Sequence, residues 1–475
     1  MKTKTNFRWT ICTMLFMATT INYLDRQVLS LTWKDFIAPE FHWTNNDYGN
    51  ITALFSIFYA ISMLFAGRLI DWLDTRRGFL WAIGIWSLGA CLHAFSGIFT
   101  AFVVTGTKVF GFEAARASIA IAENTGLVIS VSVSFFIFAR LVLAFGEAGN
   151  FPAAIKTTAE FFPKRDRALA TSIFNAGATV GALAAPLSVP FIAEAWGWEM
   201  SFIIIGVLGF LWMGCWLFLY KKPEEHHRIS EDELRYIRQD NDQATEEKDI
   251  GKEHKKTTIL RYFGYRQTWV FVVGKLMTDG VWWFFLFWTP AYLSAIYQMD
   301  TTEAAVPLFV LYSITLLSII GGWLPGYFVS TGIHPYKARL KSMFIFALFP
   351  LLTLFAQPLG HISYWIPVVI IGIAGAAHQS WSANIFSIVG DLFPRKAIAT
   401  VTGIGGMAGG VGSFLINKGS GVLFDYSRTT QLGLMGFKGE EAGYFIVFAI
   451  CAVAYLLAWT MMKMILPRYK EVTVI

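Results

Sequence analysis

About twelve runs of 18 or more predominantly apolar residues recur along the chain, near 9–30, 48–70, 79–99, 131–153, 168–190, 200–220, 268–297, 307–329, 341–357, 363–389, 398–424 and 442–466. Such a run matches the hydrocarbon core of a bilayer when it is helical. Lipid offers no partner to backbone N–H and C=O groups, so only helices and closed barrels span it. The pattern therefore predicts an all-α membrane protein of twelve transmembrane helices. Charged residues make up only 15% of the chain, against about 25% in soluble domains. Most runs are broken by Gly or Pro, which membrane helices tolerate when neighbours re-satisfy the backbone.

The basic residues predict orientation. Of 38 Lys and Arg residues, six fall in one set of alternate loops and three (Arg26, Arg140, Lys275) within spans, which leaves 29 on the side of both termini. That bias predicts cytoplasmic N- and C-termini in a multi-pass protein of a bacterial inner membrane. The net charge of +6 is then a topology signal, and no basic soluble domain exists to bind nucleic acid. Lys2, Lys4 and Arg8 before an apolar run resemble a signal peptide, but Asn22-Tyr23-Leu24-Asp25-Arg26 replaces a cleavage site, which predicts an uncleaved first span. The four cysteines (Cys12, Cys91, Cys215, Cys451) show no ligand or disulfide spacing and read as packing residues.

Inside the fourth run lie Arg140 and Glu147, two helical turns apart and hence on nearly one face. A charge at the bilayer centre costs roughly 2.5–3.5 kcal/mol on insertion scales, and such groups face one another or a cavity on a substrate or proton path. This points to a transporter.

The polar stretch Lys221–Arg266 separates six spans (1–220) from six (267–475) and reads as a solvated cytoplasmic linker. In it, Ser230-Glu-Asp-Glu233 is a capping-box pattern that opens a short surface helix. The halves repeat. Phe162-Pro163-Lys164-Arg165 matches Phe393-Pro394-Arg395-Lys396 at a spacing of 231, as do Thr171 with Thr402, Ile173 with Ile404 and Gly181 with Gly412. Gly67 matches Gly322 at 255, so 24 residues are extra in the first half, at about 99–131, in a weakly amphipathic segment that reads as a decorative loop on the non-cytoplasmic side. Two six-helix pseudo-symmetric halves imply a site at mid-membrane between them.

Three stretches then resemble a known family: Asn22–Arg26; Gly67-Arg-Leu-Ile-Asp71-Trp72-Leu-Asp74-Thr-Arg76-Arg77-Gly78; and Arg140…Gly146-Glu147-Ala148…Pro152 with Asn175-Ala-Gly177 and Pro186. They resemble the major facilitator superfamily, in its anion:cation symporter branch. Gly274-Lys275…Trp282-Trp283…Trp288 and Ala377-His378-Gln379-Ser380-Trp381-Ser382-Ala383-Asn384 are similar to bacterial hexuronate transporters. The loop after span two departs from the superfamily's gating motif: Asp74 stands where glycine is usual and Trp72 where a basic residue is common. Gly67, Asp71, Arg76 and Arg77 still suit a gate in which Asp and Arg pair with a neighbouring helix end; the alternative is a solvated loop.

The resemblance assigns Arg26 to the substrate carboxylate, which a guanidinium fork matches bidentately; a structural ion pair is the alternative. Arg140 either touches substrate or balances Glu147. Asp25 and Glu147 are the proton-coupling candidates, since burial and nearby cations pull a carboxyl's proton affinity in opposite directions. Lys275 shares a helical face with Asp279, so it either bridges to it or answers a second polar end of the substrate. His378, which falls opposite Glu147 in the repeat, joins Gln379, Trp381, Ser382 and Asn384 in a polar cluster suited to a hydroxylated ring. Tyr23, Asn175 and Trp283 complete the substrate-binding set on resemblance and facing. Gly403–Gly410 is glycine-rich but lies in a span, where helix packing explains it.

The resemblance thus implies a monomeric, proton-coupled symporter of a sugar acid, glucuronate or galacturonate foremost, acting by alternating access. Another organic anion, such as galactonate or a small dicarboxylate, and a non-transporting sensor are the rival readings. The chain shows no metal spacing, nucleophile–base pair or cofactor loop, so it reads as no enzyme and needs no cofactor beyond the co-transported ion, with sodium in place of the proton left open. Its partners are the small anionic substrate and the bilayer.

Overall fold

The computed structural model describes residues 5–239, 259–393 and 395–472. It is almost wholly helical. The first six long helices are α1 (Phe7–Thr32), α2 (Asn45–Leu73), α3 (Thr75–Ala94), α4 (Thr125–Glu147), α5 (Lys164–Trp196) and α6 (Trp198–Leu219). The second six are α7 (Arg266–Tyr297), α8 (Ala305–Ser330), α9 (Pro335–Gly360), α10 (Trp365–Leu392), α11 (Arg395–Thr430) and α12 (Glu440–Ile465). α3 continues through a 50° bend into Ser96–Thr105. A two-stranded hairpin, β1 (Gly433–Leu434) with β2 (Phe437–Lys438), joins α11 to α12.

Among the described residues nine helices are long and apolar enough to cross a membrane, ten if the bent pair is one span. α1 and α11 complete the twelve. They are less apolar because they carry buried polar residues, Asn22, Asp25, Arg26 and Gln27 on α1 and Ser413, Asn417 and Ser420 on α11. A helix that faces a polar centre needs less apolar surface than one facing lipid.

The internal repeat has a packing counterpart. A Cβ on Gly181 of α5 would meet the Thr20 carbonyl of α1, and one on Gly412 of α11 would meet the Leu276 carbonyl of α7. The repeat thus places glycine where α5 crosses α1 and where α11 crosses α7, and both crossings need a missing side chain.

The two faces of the bundle differ. On the face away from the termini, here the distal face, the halves are bonded to each other. Asp425 of α11 accepts from the backbone N–H groups of Asn45 (3.0 Å) and Asn46 (2.6 Å) at the start of α2. Lys418 donates to Asn46 and Asn50, Tyr48 Oη donates to the Phe287 carbonyl at 2.8 Å, and Asp35 accepts from Ser294 and Thr301. On the terminal face no hydrogen bond or ion pair joins the halves among the described residues. The arrangement is closed distally.

The linker helix forms over Glu231–Arg238, with Ser230 as its N-cap. The capping box is incomplete. Instead of reaching back to Ser230, the buried Glu233 carboxylate accepts from Thr5 Oγ1 (2.6 Å), the N–H groups of Phe7 and Arg8 (both 3.1 Å) and Arg8 Nη1 (3.2 Å). Asn6, at the N-cap of α1, offers no side-chain bond, so Glu233 caps α1 from 225 residues away. Residues 240–258 of the linker lie outside the described residues.

Candidate functional site

α4 reaches the centre because Gly146 lets it lie against α3, where a Cβ would meet Trp86 N and the Ala82 carbonyl. That seats Glu147 opposite α1. Arg26 donates to one Glu147 oxygen through Nη2 (2.6 Å) and Nε (3.1 Å), and both side chains are buried. Four rings surround the guanidinium: Tyr59 at 4.7 Å, Tyr23 at 5.0 Å, Trp283 at 5.2 Å and Phe55 at 6.0 Å. Such cation–π contacts strengthen on desolvation. Trp283 comes from α7, so the cage is built by both halves.

Of the two readings of Arg140, contact with substrate or balance of Glu147, the hydrogen bonds leave neither made: Glu147 is bonded to Arg26. Arg140 is 2% exposed, its guanidinium 5.1 Å from the Phe55 ring, and its Nε and Nη1 are buried without a hydrogen-bond partner. Asp25 Oδ2, Glu147 Oε1 and both amide atoms of Asn22 are likewise buried and unpartnered. A buried charged donor left unmatched is costly, and two clustered with unmatched acceptors mark a place for a polar ligand or a proton.

In the second half, Lys275 Nζ lies 2.6 Å from Asp279 and 4.5 Å from the Phe386 ring. The α10 cluster divides. His378 Nδ1 is 2.8 Å from Tyr455 Oη of α12, and its ring stacks on Trp282 at 5.4 Å. Trp381 is fully buried with its ring edge-on to Tyr455. Asn384 donates to the Gly321 carbonyl of α8 and to Ser380 O, both at 2.8 Å; it therefore serves packing of α10 on α8 rather than the central cluster. Gln379 and Ser382 are half-buried. Asn175 is exposed on the face of α5 turned away from α1. Sequence reasoning passed over Phe55 and Tyr59; both lie four residues apart on α2, and their i, i+4 spacing on an apolar face looks like ordinary packing.

At the start of α3, Arg76 donates to the Leu217 carbonyl at 2.7 Å, a cation on the last turn of α6, and Arg77 is exposed. The surroundings of Gly67 and the side chain of Asp71 lie outside the described residues. The 99–131 segment contains a helix, Phe112–Ala120, which is not decorative. Its Arg116 pairs with Glu40 (3.4 Å) and Glu199, and Trp198 Nε1 donates to Glu40 at 2.8 Å. A cleft of about 1230 Å³ opens beside this helix on the distal face and includes no residue of the Arg26 cluster. The buried cluster between the halves is the candidate site.

Twelve helices in two repeated halves, with buried unmatched charges between them, fit a membrane transporter. The sequence profile of the Major Facilitator Superfamily matches residues 15–416, and the chain belongs to that family. It is 25% identical to the hexuronate transporter of Escherichia coli K12, over 96% of this chain and 94% of that one. It is 24% identical to the probable galactarate/D-glucarate transporter GarP of the same strain, over 86% of each. Among solved structures it resembles a bacterial homolog of the human lysosomal transporter Spinster, at a TM-score of 0.66 and 15% identity, covering 99% of this chain and 100% of that one.

Proposed function

We propose that the protein is a proton-coupled symporter that imports a hexuronate across a bacterial inner membrane by alternating access, with both termini cytoplasmic. One observation carries the reading: of two buried arginines at the centre, Arg26 is neutralised by Glu147 and Arg140 is not neutralised by any hydrogen-bonded partner. Arg140 is the anchor for the substrate carboxylate, which its planar fork suits. Asp25 and Glu147 take up the proton. When Glu147 is protonated, the ion pair with Arg26 is lost and this guanidinium too turns to the anion, so proton and anion enter together. The rings of Tyr23, Tyr59 and Trp283 supply an apolar face for a pyranose ring. The E. coli hexuronate relative, matched over nearly the whole chain, supports the substrate class.

Uptake of labelled glucuronate into proteoliposomes tests this, with and without an imposed proton gradient. Gradient-driven accumulation that galacturonate blocks is expected, with Glu147→Gln retaining exchange but losing accumulation. A Glu147→Gln carrier that still concentrates substrate would overturn the coupling role. Accumulation driven only by sodium would replace the proton, and competition by galactonate alone would move the substrate to the hexonates.

A further inference from the structure

The relatives fall into carriers named for sugar acids with one carboxylate and carriers named for sugar acids with two. The structure of α7 bears on that choice. Lys275, Asp279 and Trp283 recur every four residues, so they form one stripe along the helix. Trp283 lies against Arg26, which turns the stripe toward the site. Since α7 starts at the terminal face, Asp279 and Lys275 lie ~6 and ~12 Å from Trp283 along its axis toward that face. A six-carbon acid anchored at the arginines extends along this stripe.

The two groups at its far end cancel. Lys275 is bonded to Asp279 at 2.6 Å, and both side chains are nearly buried, at 7% and 14% exposure. Gly409 of α11 leaves the room that the Asp279 carboxylate fills. Asp279 Oδ1 is buried and unpartnered, so it presents an acceptor, which welcomes a hydroxyl and repels a carboxylate. We infer that Asp279 determines specificity: by occupying Lys275 it makes the second end of the site neutral and hydroxyl-seeking, and it selects monocarboxylate over dicarboxylate sugar acids. This rests on the sugar-acid reading above. Among the described residues, the buried cations Arg26 and Lys275 each have a hydrogen-bonded carboxylate, and Arg140 has none.

Equilibrium binding of galacturonate and galactarate to the purified full-length protein tests it. The wild type should prefer galacturonate by at least ~10-fold, the worth of one charge-assisted bond. Asp279→Asn frees Lys275 and should tighten galactarate relative to galacturonate by a similar factor. Lys275→Gln combined with Asp279→Asn removes both charges and should restore the wild-type preference. A wild type that binds the two acids equally overturns the inference and needs no variant. So does an Asp279→Asn protein that binds galacturonate with an unchanged ratio, while the sugar-acid reading survives both results. A wild type that binds neither acid overturns that reading and the inference with it.

Discussion

Asp425 is the most exposed test of how the distal face is held. It belongs to the second half, yet it caps α2 of the first, accepting from Asn45 N, Asn45 Nδ2 and Asn46 N at 3.0, 3.1 and 2.6 Å. These bonds exist only while the halves meet. Asp425→Asn keeps the shape, removes the charge at the positive end of α2 and turns one acceptor oxygen into a donor. A hydrogen bond to a charged group contributes ~1.5–3 kcal/mol, and an anion at a helix N-terminus ~0.3–1 kcal/mol. The side chain is 20% exposed, so water replaces part of the loss and the low end applies, about 2 kcal/mol in all. That is a shift of about 30-fold from the distally closed toward the distally open arrangement. Spin labels at the exposed positions Trp196 and Tyr426, after replacement of the four native cysteines, report the distance between halves on this face. The variant should add a longer distance population, and Arg428→Gln, which removes only an outlying contact to Asp425 at 3.4 Å, should not. A folded Asp425→Asn protein with the wild-type distribution would refute the assignment of this clasp.

Two further outcomes are expected. Glu233→Ala removes the acceptor of three bonds to the first turn of α1 and one to Thr5 just before it, a loss of ~1–3 kcal/mol. Backbone hydrogen exchange over residues 5–12 should then accelerate roughly tenfold or more, and unchanged exchange would show that α1 needs no cap from the linker. Burial pushes the Glu40 carboxyl, outside the membrane spans, up to about 7 from its ordinary 4.5. Between those values the folded protein holds a proton that the unfolded chain has lost, so this contribution to stability is full at low pH and disappears as pH rises through 7. Thermal melting of the wild type should therefore fall more steeply from about pH 5 to about pH 8 than that of Glu40→Gln; parallel slopes would exclude Glu40 as the titrating group.

What the sequence made legible follows the range of the interactions. The spans and the doubling of the chain rest on local hydropathy and a fixed spacing, and the helices follow them. The charges at Arg140 and Glu147 were visible for the same reason. The partner that Glu147 takes was not. A seven-residue spacing puts two groups on one face but does not say which neighbour faces them, and Arg26 stands 121 positions from Glu147. That meeting depends on how closely α4 can approach α3, which Gly146 decides in three dimensions. The α10 cluster shows the same limit. One polar run at 378–384 is split by helical periodicity, with His378 and Trp381 turned to α12 and Ser380 and Asn384 turned to α8. The 99–131 segment reads as decorative in the sequence because both carboxylates of its Arg116 are remote in sequence.

The cap on α1 also sets an order of events in biosynthesis. The first helix leaves the ribosome with its initial N–H groups unmatched, and the carboxylate that matches them is made only after all six helices of the first half. Chains fold largely as units while they are being made. Glu233 is therefore a closing stitch: it ties the beginning of the first half to the segment just beyond its end, and it is itself synthesised before α7. The half that carries Asp25, Arg26, Arg140 and Glu147 is thus tied, at its first helix, to the segment that follows its last.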